Sequence, residues 1–222
     1  MALFRPILGE LNGSLANNVF ARTKGGLIVK RRAQPTNPQT QQQQLVRSYL
    51  QTMADRWNSV LTEVGRADWR AWASQQTHVN RLGESVTWSG QQEYVALGAR
   101  NLRIGAPISD TIPDAPAPPP LKTVTVSADA ASGDITLAFT NSPIGAAHKI
   151  VAYGVLNHSP GRMPLRSNAV FLGASAAAAT SPFTVTYLGG LMEDLYVTVW
   201  LYVQDGFGQQ SQPIQGRSII AI

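Results

Sequence analysis

The sequence contains no cysteine, and this absence excludes disulfide bonds, thiolate metal sites and cysteine nucleophiles. Charged residues are also scarce, at 14% of the chain, against roughly 25% in an average soluble protein. Glutamine, serine, threonine and asparagine take their place. We interpret this composition as that of a surface suited to a large assembly.

Long apolar runs are missing as well. No stretch reaches the roughly 18 apolar residues that would predict a membrane-spanning helix. The opening segment, MALFRPILGELNGS, carries an early Arg5 and no sustained apolar core, so it does not resemble a signal peptide. We expect a protein that is made and used in the cytoplasm, or in a particle assembled there, without a membrane partner.

The positive charge is concentrated in the first half of the chain. The formal net charge is +5. Residues 1–110 hold 13 Lys or Arg and 7 Asp or Glu, whereas residues 111–222 hold 5 and 6. Six of the basic residues lie within the first 32 positions, where Glu10 is the single acid. This asymmetry predicts an anionic partner for the first half.

Proline marks the clearest internal boundary. Residues 107–120 read PISDTIPDAPAPPP. Because proline lacks an amide proton and restricts the residue before it, this segment is predicted to be an extended, semi-rigid spacer. Four regions are therefore predicted: a basic arm with a β-hairpin at 1–36, a helical module at 37–106, a proline-rich linker at 107–120 and a β-sandwich at 121–222.

The arm is predicted to contain a hairpin, because β-prone segments at Asn18–Arg22 and Leu27–Arg32 flank a Gly-Gly turn at 23–26. Asn37 and Pro38 then have the residue types of a helix cap and of a first helical position. We expect the first helix to start there.

Three helices are predicted after the hairpin. The first has apolar residues at three- and four-residue spacing, which predicts one buried face; these residues are Leu45, Tyr49, Leu50, Met53, Trp57 and Val60. A shorter helix begins at Thr62 and carries Trp69 and Trp72, and Ser89 and Gln92 match a capping box for a third. We interpret the tryptophans as core residues, with a carbohydrate-binding platform as the alternative.

The second half of the chain changes to a period of two. Strands are predicted at 122–128, 134–140, 149–156, 183–187 and 196–203, with weaker ones at 168–172 and 214–220. Short strands without helix signals are typical of antiparallel sandwiches. Because the Cys…Trp…Cys pattern of antibody domains is absent, the predicted kind is fibronectin-III-like. The predicted fold class is α+β, with an N-terminal β-hairpin plus about three helices and a C-terminal all-β immunoglobulin-like or fibronectin-III-like sandwich.

No set of residues predicts an enzyme. His78, His148 and His158 are far apart, and none has an acid at metal-ligand spacing, so we expect isolated surface or loop histidines. The acids are scattered apart from the adjacent Glu193 and Asp194, and the sequence lacks nucleophile-elbow, phosphate-loop and dinucleotide motifs. We assign no catalytic, cofactor-binding or metal-binding residue and expect no cofactor.

The basic hairpin is the candidate contact site, and its residues are Arg22, Lys24, Lys30, Arg31 and Arg32. In a strand, Lys30 and Arg32 share one face while Arg31 points to the other. Such a patch suits an acidic surface on a neighbouring protein or the phosphates of a nucleic acid. The same side chains could instead stay solvated, where their charge keeps an edge strand from aggregating. Contact with protein is the first of these three hypotheses.

Residues 25–44, GGLIVKRRAQPTNPQTQQQQ, resemble a pattern found in uncharacterised proteins of tailed bacteriophages and prophages. The resemblance continues through an R-x-x-W element at Arg66–Trp69, a segment at Arg81–Gly83 and an S/T-G-x-x-x-Y element at Ser89–Tyr94, and it covers about residues 12–105. It implies a phage context without an assigned activity, so it transfers no catalytic residue to this chain.

In that phage context, we expect a structural protein of the virion, assembled in the host cytoplasm. The first hypothesis is an auxiliary capsid protein of the decoration or cement type, present in many copies. Its partners would be the major capsid protein or other virion proteins, bound through its N-terminal half. A head–tail connector or tail component is an alternative. A nucleic-acid-binding accessory protein that uses the basic hairpin is the second hypothesis, and an enzyme such as a glycan hydrolase is the third.

Overall fold

The computed structural model describes residues 2–3, 13–23, 26–33, 37, 39–79, 84–140 and 144–221. The chain divides into two compact units, Met1–Gln44 and Leu45–Ile222. Helices and strands both occur, so the predicted α+β class is confirmed. None of the helices in the described ranges combines the length and hydropathy that a membrane crossing needs.

The first unit contains a small antiparallel sheet with the strand order β1-β4-β3-β2. The strands are β1 (Ala2–Leu3), β2 (Gly13–Leu15), β3 (Asn18–Thr23) and β4 (Gly26–Arg31). The predicted hairpin is confirmed, because β3 and β4 pair from Asn18 opposite Arg31 to Thr23 opposite Gly26. The two turn residues between them lie outside the described residues. Ile28 is buried, whereas residues 13–18 are all exposed.

Three α-helices lie within the described residues, and the number agrees with the prediction. They are α1 (Gln41–Ser59), α2 (Glu63–Ser74) and α3 (Gly90–Arg103). The Thr62 hydroxyl caps α2 by accepting from the Gly65 amide at 3.2 Å. The predicted capping box is confirmed, because Ser89 and Gln92 bond to each other's backbone amides at the start of α3. A short ladder of β5 (His78–Val79) and β6 (Ser85–Val86) lies between α2 and α3 in the chain.

Helix α1 begins later than predicted. Gln39 has a φ of 48°, a left-handed conformation that does not belong to a first helical turn, so the prediction of a start at Asn37 and Pro38 is wrong. Thr40 is the residue that precedes the helix. Its hydroxyl oxygen accepts a hydrogen bond from the Gln43 amide at 3.3 Å, as the side chain of an N-cap residue does.

The helices pack around a small core in which half of the buried residues are aromatic. Its buried residues are Met53, Trp57, Leu61, Trp69, Tyr94 and Leu97. The rings of Trp69 and Tyr94 meet edge to face with centroids 5.3 Å apart, an arrangement that aromatic pairs prefer. Helix α3 approaches α1 closely at Gly98, where a Cβ would lie only 2.0 Å from the Met53 Cε. Trp57 and Trp69 are therefore core residues, as predicted.

A seven-stranded sheet occupies the rest of the second unit, and each predicted strand segment is present in it. The strands are β7 (Val124–Asp129), β8 (Asp134–Phe139), β9 (Lys149–His158), β10 (Val170–Ala174), β11 (Phe183–Thr186), β12 (Tyr196–Gln204) and β13 (Ile214–Ala221). Their order is β10-β9-β12-β13-β7-β8-β11. Neighbours are antiparallel except β13 and β7, which pair in parallel at Ile220–Ala128 and Ala221–Asp129.

Both faces of β12 are covered. Val197, Val199 and Leu201 point to one face and are fully buried in an aliphatic cluster with residues of β7, β8, β9, β11 and β13. Thr198 and Gln204 belong to the opposite face, because successive strand residues alternate, and they are fully buried as well. A second layer must therefore cover this opposite face, and the helices contribute to it.

The helices and the large sheet meet at a buried polar junction. The side chain of Asn101, fully buried, donates to the Gly206 carbonyl at 2.9 Å and accepts from Gln204 Nε2 at 2.8 Å. Close by, Gly208 has a φ of 94°, and a Cβ on it would lie 2.3 Å from the Leu97 carbonyl oxygen. The turn after β12 thus packs directly against the backbone of α3.

The proline-rich segment lies along this junction. It contains no helix or strand, as its prolines predict. The Trp69 indole donates to the Asp110 carbonyl at 3.0 Å and the Tyr94 hydroxyl to the Asp110 side chain at 2.7 Å, while the Gln209 amide group donates to the Ala115 carbonyl at 2.9 Å. The predicted spacer is therefore anchored to the helices at one end and to the sheet at the other. The predicted domain bounds stay a prediction.

Candidate interaction site

The basic residues of the hairpin project from both faces of the small sheet. Lys30 pairs with Val19 and Arg31 with Asn18, and because successive strand residues alternate, Lys30 and Arg31 point to opposite sides. The amide of Arg32 donates to the Asn17 carbonyl at 2.6 Å, which continues the alternation and places Arg32 on the face of Lys30. All three basic side chains are exposed.

Two members of the predicted patch are described less fully. Arg22 lies in β3 opposite Leu27, but its side chain is outside the described residues, and Lys24 is outside them altogether. The structure therefore brings Lys30, Arg31 and Arg32 together at one end of the hairpin and leaves the other two predicted contact residues untested.

Glu10 is the one acid near this charge in the sequence, because the chain has no Asp or Glu between Glu10 and Asp55. The cross-strand rows that contain the basic residues are free of acids; they consist of Ser14, Val19 and Lys30, and of Leu15, Asn18 and Arg31. Exposed charges act over a Debye length of about 8 Å at physiological salt. The sheet therefore presents a positive field that an anionic surface would complement.

Strand β2 adds an apolar residue to this sheet and an edge without a partner strand in the described part of the chain. Leu15, at the end of β2, is 72% exposed. An unpaired strand edge offers backbone amide and carbonyl groups to a strand of another chain. The first unit thus combines positive charge, an exposed leucine and an open edge.

The predicted apolar stripe on α1 is buried only in part. Met53 and Trp57 are buried, as predicted, but Leu45, Leu50 and Val60 are 44%, 45% and 49% exposed. The prediction of one continuous buried face is therefore wrong at these three residues. Helical spacing identifies residues on one face, but it does not report how far the neighbouring helices extend along that face.

The exposed Leu50 forms one wall of an apolar groove of about 530 Å³ between α1 and α3. The other lining residues are Trp88, Gln91, Gln92, Val95 and Ala96. Trp88 is half-buried, so the tryptophans of the helical part are not all core residues. The groove is a second surface with apolar character, distinct in its chemistry from the basic sheet.

A histidine–carboxylate pair lies behind Trp88. The His78 ring stacks on Trp88 with centroids 3.9 Å apart and planes at 14°, and its Nε2 contacts the Glu93 carboxylate, which is 3% exposed. In the described ranges, no group of three or more metal-ligating side chains forms. We interpret the pair as structural, because a buried carboxylate without a partner is costly. The separation of 15 residues between its members hides it from sequence analysis.

The expectation of isolated surface or loop histidines is also wrong for His158. This residue ends β9 and is 2% exposed. Its Nε2 lies 2.9 Å from the Thr198 hydroxyl oxygen, so the imidazole is a hydrogen-bonded core residue. His148 is half-buried and packs beside Gly145, where a Cβ would come 2.7 Å from the His148 Nδ1.

Asp110 is the centre of a polar cluster that fixes the proline-rich segment. Its carboxylate accepts from the Tyr94 hydroxyl at 2.7 Å and from the Arg56 guanidinium at 2.5 Å. Burial raises the pKa of Tyr94 to about 12, and the hydrogen bond to Asp110 acts in the same direction. The phenol therefore stays protonated and donates to the carboxylate at neutral pH, which is a structural role.

Sequence analysis missed a second basic group near the end of α3. Arg100 donates to the Gly208 carbonyl at 3.3 Å, and the Arg103 guanidinium lies 5.4 Å from the centre of the Tyr153 ring. The three-residue spacing indicates that the two arginines share one helix face. Nothing in the spacing indicates that this face meets strand β9, which is far along the chain.

No protein-family model matches the chain, and no curated protein matches its sequence. Several solved structures resemble part of it. A family 76 glycoside hydrolase from a bovine Bacteroides thetaiotaomicron strain is 9% identical, with 46% of this chain and 20% of that chain covered and a TM-score of 0.34. An Fn3-like protein from Clostridium thermocellum is 12% identical, with 46% and 92% covered and a TM-score of 0.29.

A superoxide reductase (neelaredoxin) from Ignicoccus hospitalis is 22% identical, with 47% of this chain and 78% of that chain covered and a TM-score of 0.25. The chain spans a fifth of the length of the glycoside hydrolase. At these identities and TM-scores, the likenesses carry no argument about the fold or the activity of this protein.

Proposed function

We propose that the chain is a structural protein of a tailed-bacteriophage virion, and specifically an auxiliary capsid protein of the decoration or cement type. The phage context comes from the sequence resemblance over residues 12–105. The proposal rests on the first unit, in which Glu10 is the one acid and Ile28 is the one buried residue among the described side chains.

The described residues of the first unit bury little apolar surface. A small sheet needs an apolar face covered by another element for independent stability. In this sheet, Leu15 is exposed and Val29 is half-buried. We infer that the surface of a partner protein covers the sheet in the assembled particle, where it buries these side chains.

The chemistry of the sheet defines the partner surface that would fit it. Because Lys30 and Arg32 lie on one face and Arg31 on the other, we expect acidic residues on the partner surface. The open edge of β2 suits the addition of a strand. Many copies on one particle would make even weak single contacts effective, because neighbouring contacts raise the local concentration of each copy. The major capsid protein is the partner that offers such a repeated surface.

The large sheet supports a second part of the proposal, namely that residues 121–222 form an immunoglobulin-like sandwich of the fibronectin-III kind. Strands β7, β8 and β11 lie side by side, and so do β13, β12, β9 and β10. Both groups contribute to one aliphatic core, and only the end of β13 joins them. Two layers of antiparallel strands around a shared core are the architecture of such sandwiches.

Location in the virion is the first test. The proposal expects the chain to co-sediment in many copies with intact particles released from the phage or lysogen that encodes it. Recovery only in the soluble lysate, with none in purified particles, would contradict the proposal. A copy number that matches a single vertex or the tail would support the alternative of a head–tail connector or tail component.

Charge reversal on the basic sheet tests which surface makes the contact. The variant Lys30→Glu/Arg32→Glu should lose most of its binding to particles that lack the chain, because both substitutions put negative charge on one face. The matched control is Lys122→Glu/Arg162→Glu, which changes the net charge equally at two exposed positions of the β part. Equal loss in the two variants would show a general charge effect instead of a contact through this face.

A nucleic-acid-binding role is the second candidate, because the same positive charge attracts phosphates. It expects binding to a double-stranded DNA fragment that falls steeply as salt rises and disappears in the Lys30→Glu/Arg32→Glu variant. Binding to particles without binding to DNA would exclude this candidate.

A further inference from the structure

A narrow cleft of about 110 Å³ lies where the helices meet strand β9. Its lining residues come from α1, α3 and β9; they are Val46, Tyr49, Ala99, Arg100, Arg103 and Tyr153. All of them belong to the second unit, so the cleft does not involve the basic sheet. Two guanidinium groups and two phenol rings in one small cleft form an unusual concentration of hydrogen-bond donors.

Aromatic rings hold Arg103 in place. Its guanidinium lies 5.4 Å from the centre of the Tyr153 ring and 5.5 Å from that of Phe171, and these two rings meet edge to face at 5.7 Å. Contacts of this kind attract a cation to the ring faces without using its N–H groups. No hydrogen bond or ion pair joins the Arg103 guanidinium to another residue of the described chain, so its five N–H donors are available.

Arg100 is half-buried and also has no ion-pair partner in the described ranges. One of its N–H groups donates to the Gly208 carbonyl, and no other hydrogen bond from its guanidinium is made there. Burial lowers the pKa of Arg100, the expected effect of desolvating a cation, while the charges of Glu93 and Asp205 act in the opposite direction. Because neither acid forms an ion pair with Arg100 in the described ranges, a bound anion would further offset the cost of burying this cation.

The shape and surroundings of the cleft favour one class of anion. Val46, Ala99 and the rings of Tyr49 and Tyr153 give it apolar walls, which suit the methylene stem of an acidic side chain. The lining includes the C-terminal turn of α3, and the partial negative charge at that helix end disfavours a phosphate dianion more than a carboxylate. Arginine pairs with a carboxylate through two parallel hydrogen bonds.

We propose that this cleft binds a carboxylate, namely the acidic side chain of a peptide segment or partner protein, between Arg100 and Arg103. The methylene stem of the bound acidic side chain lies against the apolar wall formed by Val46 and Tyr153. Because neither arginine belongs to the basic sheet, the assignment stands or fails independently of the virion proposal.

The test uses the full chain labelled with ¹⁵N, and it observes the arginine Nε–Hε signals by NMR. The probe is N-acetyl-glutamate methylamide, and its neutral isostere N-acetyl-glutamine methylamide is the control. We expect the signals of Arg100 and Arg103 to shift and saturate with the glutamate compound and to stay unchanged with the glutamine compound. Shifts confined to other arginines, or equal shifts with both compounds, would overturn the proposal.

Inorganic phosphate is titrated in parallel. Weaker binding of phosphate than of the glutamate compound supports the carboxylate assignment. Equal or tighter binding of phosphate at the same two arginines would overturn it and identify a general anion site.

A substitution tests the role of each contact. Arg103→Gln should weaken binding of the glutamate compound about tenfold, the effect of losing one charge-assisted contact, and Arg103→Lys should restore only part of it because lysine lacks the planar fork. The matched control Arg162→Gln removes an exposed arginine of the β part and should leave the affinity unchanged. Equal affinities in the wild type and Arg103→Gln would contradict the proposal. The wild-type titration decides the question even if Arg103→Gln folds poorly.

Discussion

The helical and β parts of the second unit bury apolar surface in different ways. Among the described residues, the helical core has six buried members, half of them aromatic, whereas the β core has sixteen, most of them aliphatic. Ile108 and Ile112 of the proline-rich segment pack against the helical core, and the turn at Gly208 covers α3. The β core, by contrast, takes its described members from residue 121 onward.

This difference predicts that the helical part depends more strongly on the junction than the β part does. The helices rely on contacts from the proline-rich segment and from the turn after β12, whereas the helices contact the sheet outside its aliphatic core, as at Gln204 on the opposite face of β12. Tryptophan distribution lets the two parts be observed separately, because four tryptophans precede residue 107 and Trp200 alone follows it. Changes at the junction should therefore appear first in the fluorescence of the helical part.

The largest expected effect is that of Gly208→Ala. Its φ of 94° is unfavourable for alanine, and the added Cβ would lie 2.3 Å from the Leu97 carbonyl oxygen, so backbone must move. We expect a loss of about 3 kcal/mol, combining backbone strain with overpacking. In urea, the tryptophan fluorescence transition should come before the loss of β-sheet circular dichroism.

Gly206→Ala is the control for this substitution, because a Cβ at Gly206 would have no atom within 4 Å. It should unfold like the wild type. Coincident fluorescence and circular-dichroism transitions in Gly208→Ala, shifted together, would show instead that the sheet depends on the helices as much as they depend on it.

Asn101→Ala is expected to have an intermediate effect. The substitution removes a hydrogen bond from the fully buried Gln204 side chain and leaves the carbonyls of Pro107 and Gly206 without their side-chain donor. Unsatisfied buried polar groups of this kind cost about 2 kcal/mol. Chemical denaturation followed by tryptophan fluorescence measures the loss.

Asn58→Ala, at an exposed position of α1, provides the comparison and should change the unfolding free energy by less than about 0.5 kcal/mol. If the two alanine variants were equally stable, the buried amide network would not be what joins the helices to the sheet.

The smallest effect at neutral pH is that of Tyr94→Phe, which removes one hydrogen bond worth about 1 kcal/mol. Its distinctive signature lies at alkaline pH. The folded-state pKa of Tyr94 is raised from 10.0 to about 12, so the protonated phenol is favoured in the folded protein. The wild type should therefore keep this contribution below pH 10 and lose it as the pH rises toward 12.

The measurement is the difference in unfolding free energy between the wild type and Tyr94→Phe across this pH range. The difference should be constant up to about pH 9 and shrink above it, because other alkaline titrations are common to both proteins and cancel. A difference that stays constant up to pH 12 would show that the phenol is not protected in the folded state.

Local patterns in the sequence were sufficient for most of the secondary structure. The capping box at Ser89 and Gln92 and the period-two strands depend on neighbouring residues, and both are present. The start of α1 was missed because Asn37 and Pro38 also have the residue types of a helix start. The left-handed backbone of Gln39 excludes that earlier start, and the hydrogen bond from the Gln43 amide to the Thr40 hydroxyl identifies Thr40 as the cap.

Contacts between distant residues could not be predicted. Asn101 and Gln204 are separated by 103 positions, and the pairing of His78 with Glu93 depends on how a short ladder folds back onto α3. The basic patch was recognisable because its members lie close together in the sequence. The cleft at Arg100 and Arg103 was not, since one of its walls comes from β9.

The position of β13 has a consequence for synthesis on the ribosome. It is the last of the seven strands in sequence and the fourth in the order of the sheet, so a nascent chain that lacks it has two separate sets of strands with open edges at β12 and β7. The turn that packs on α3 emerges only a few residues earlier. Until both have left the exit tunnel, these edges and the apolar residues beside them remain available to chaperones or to other nascent copies.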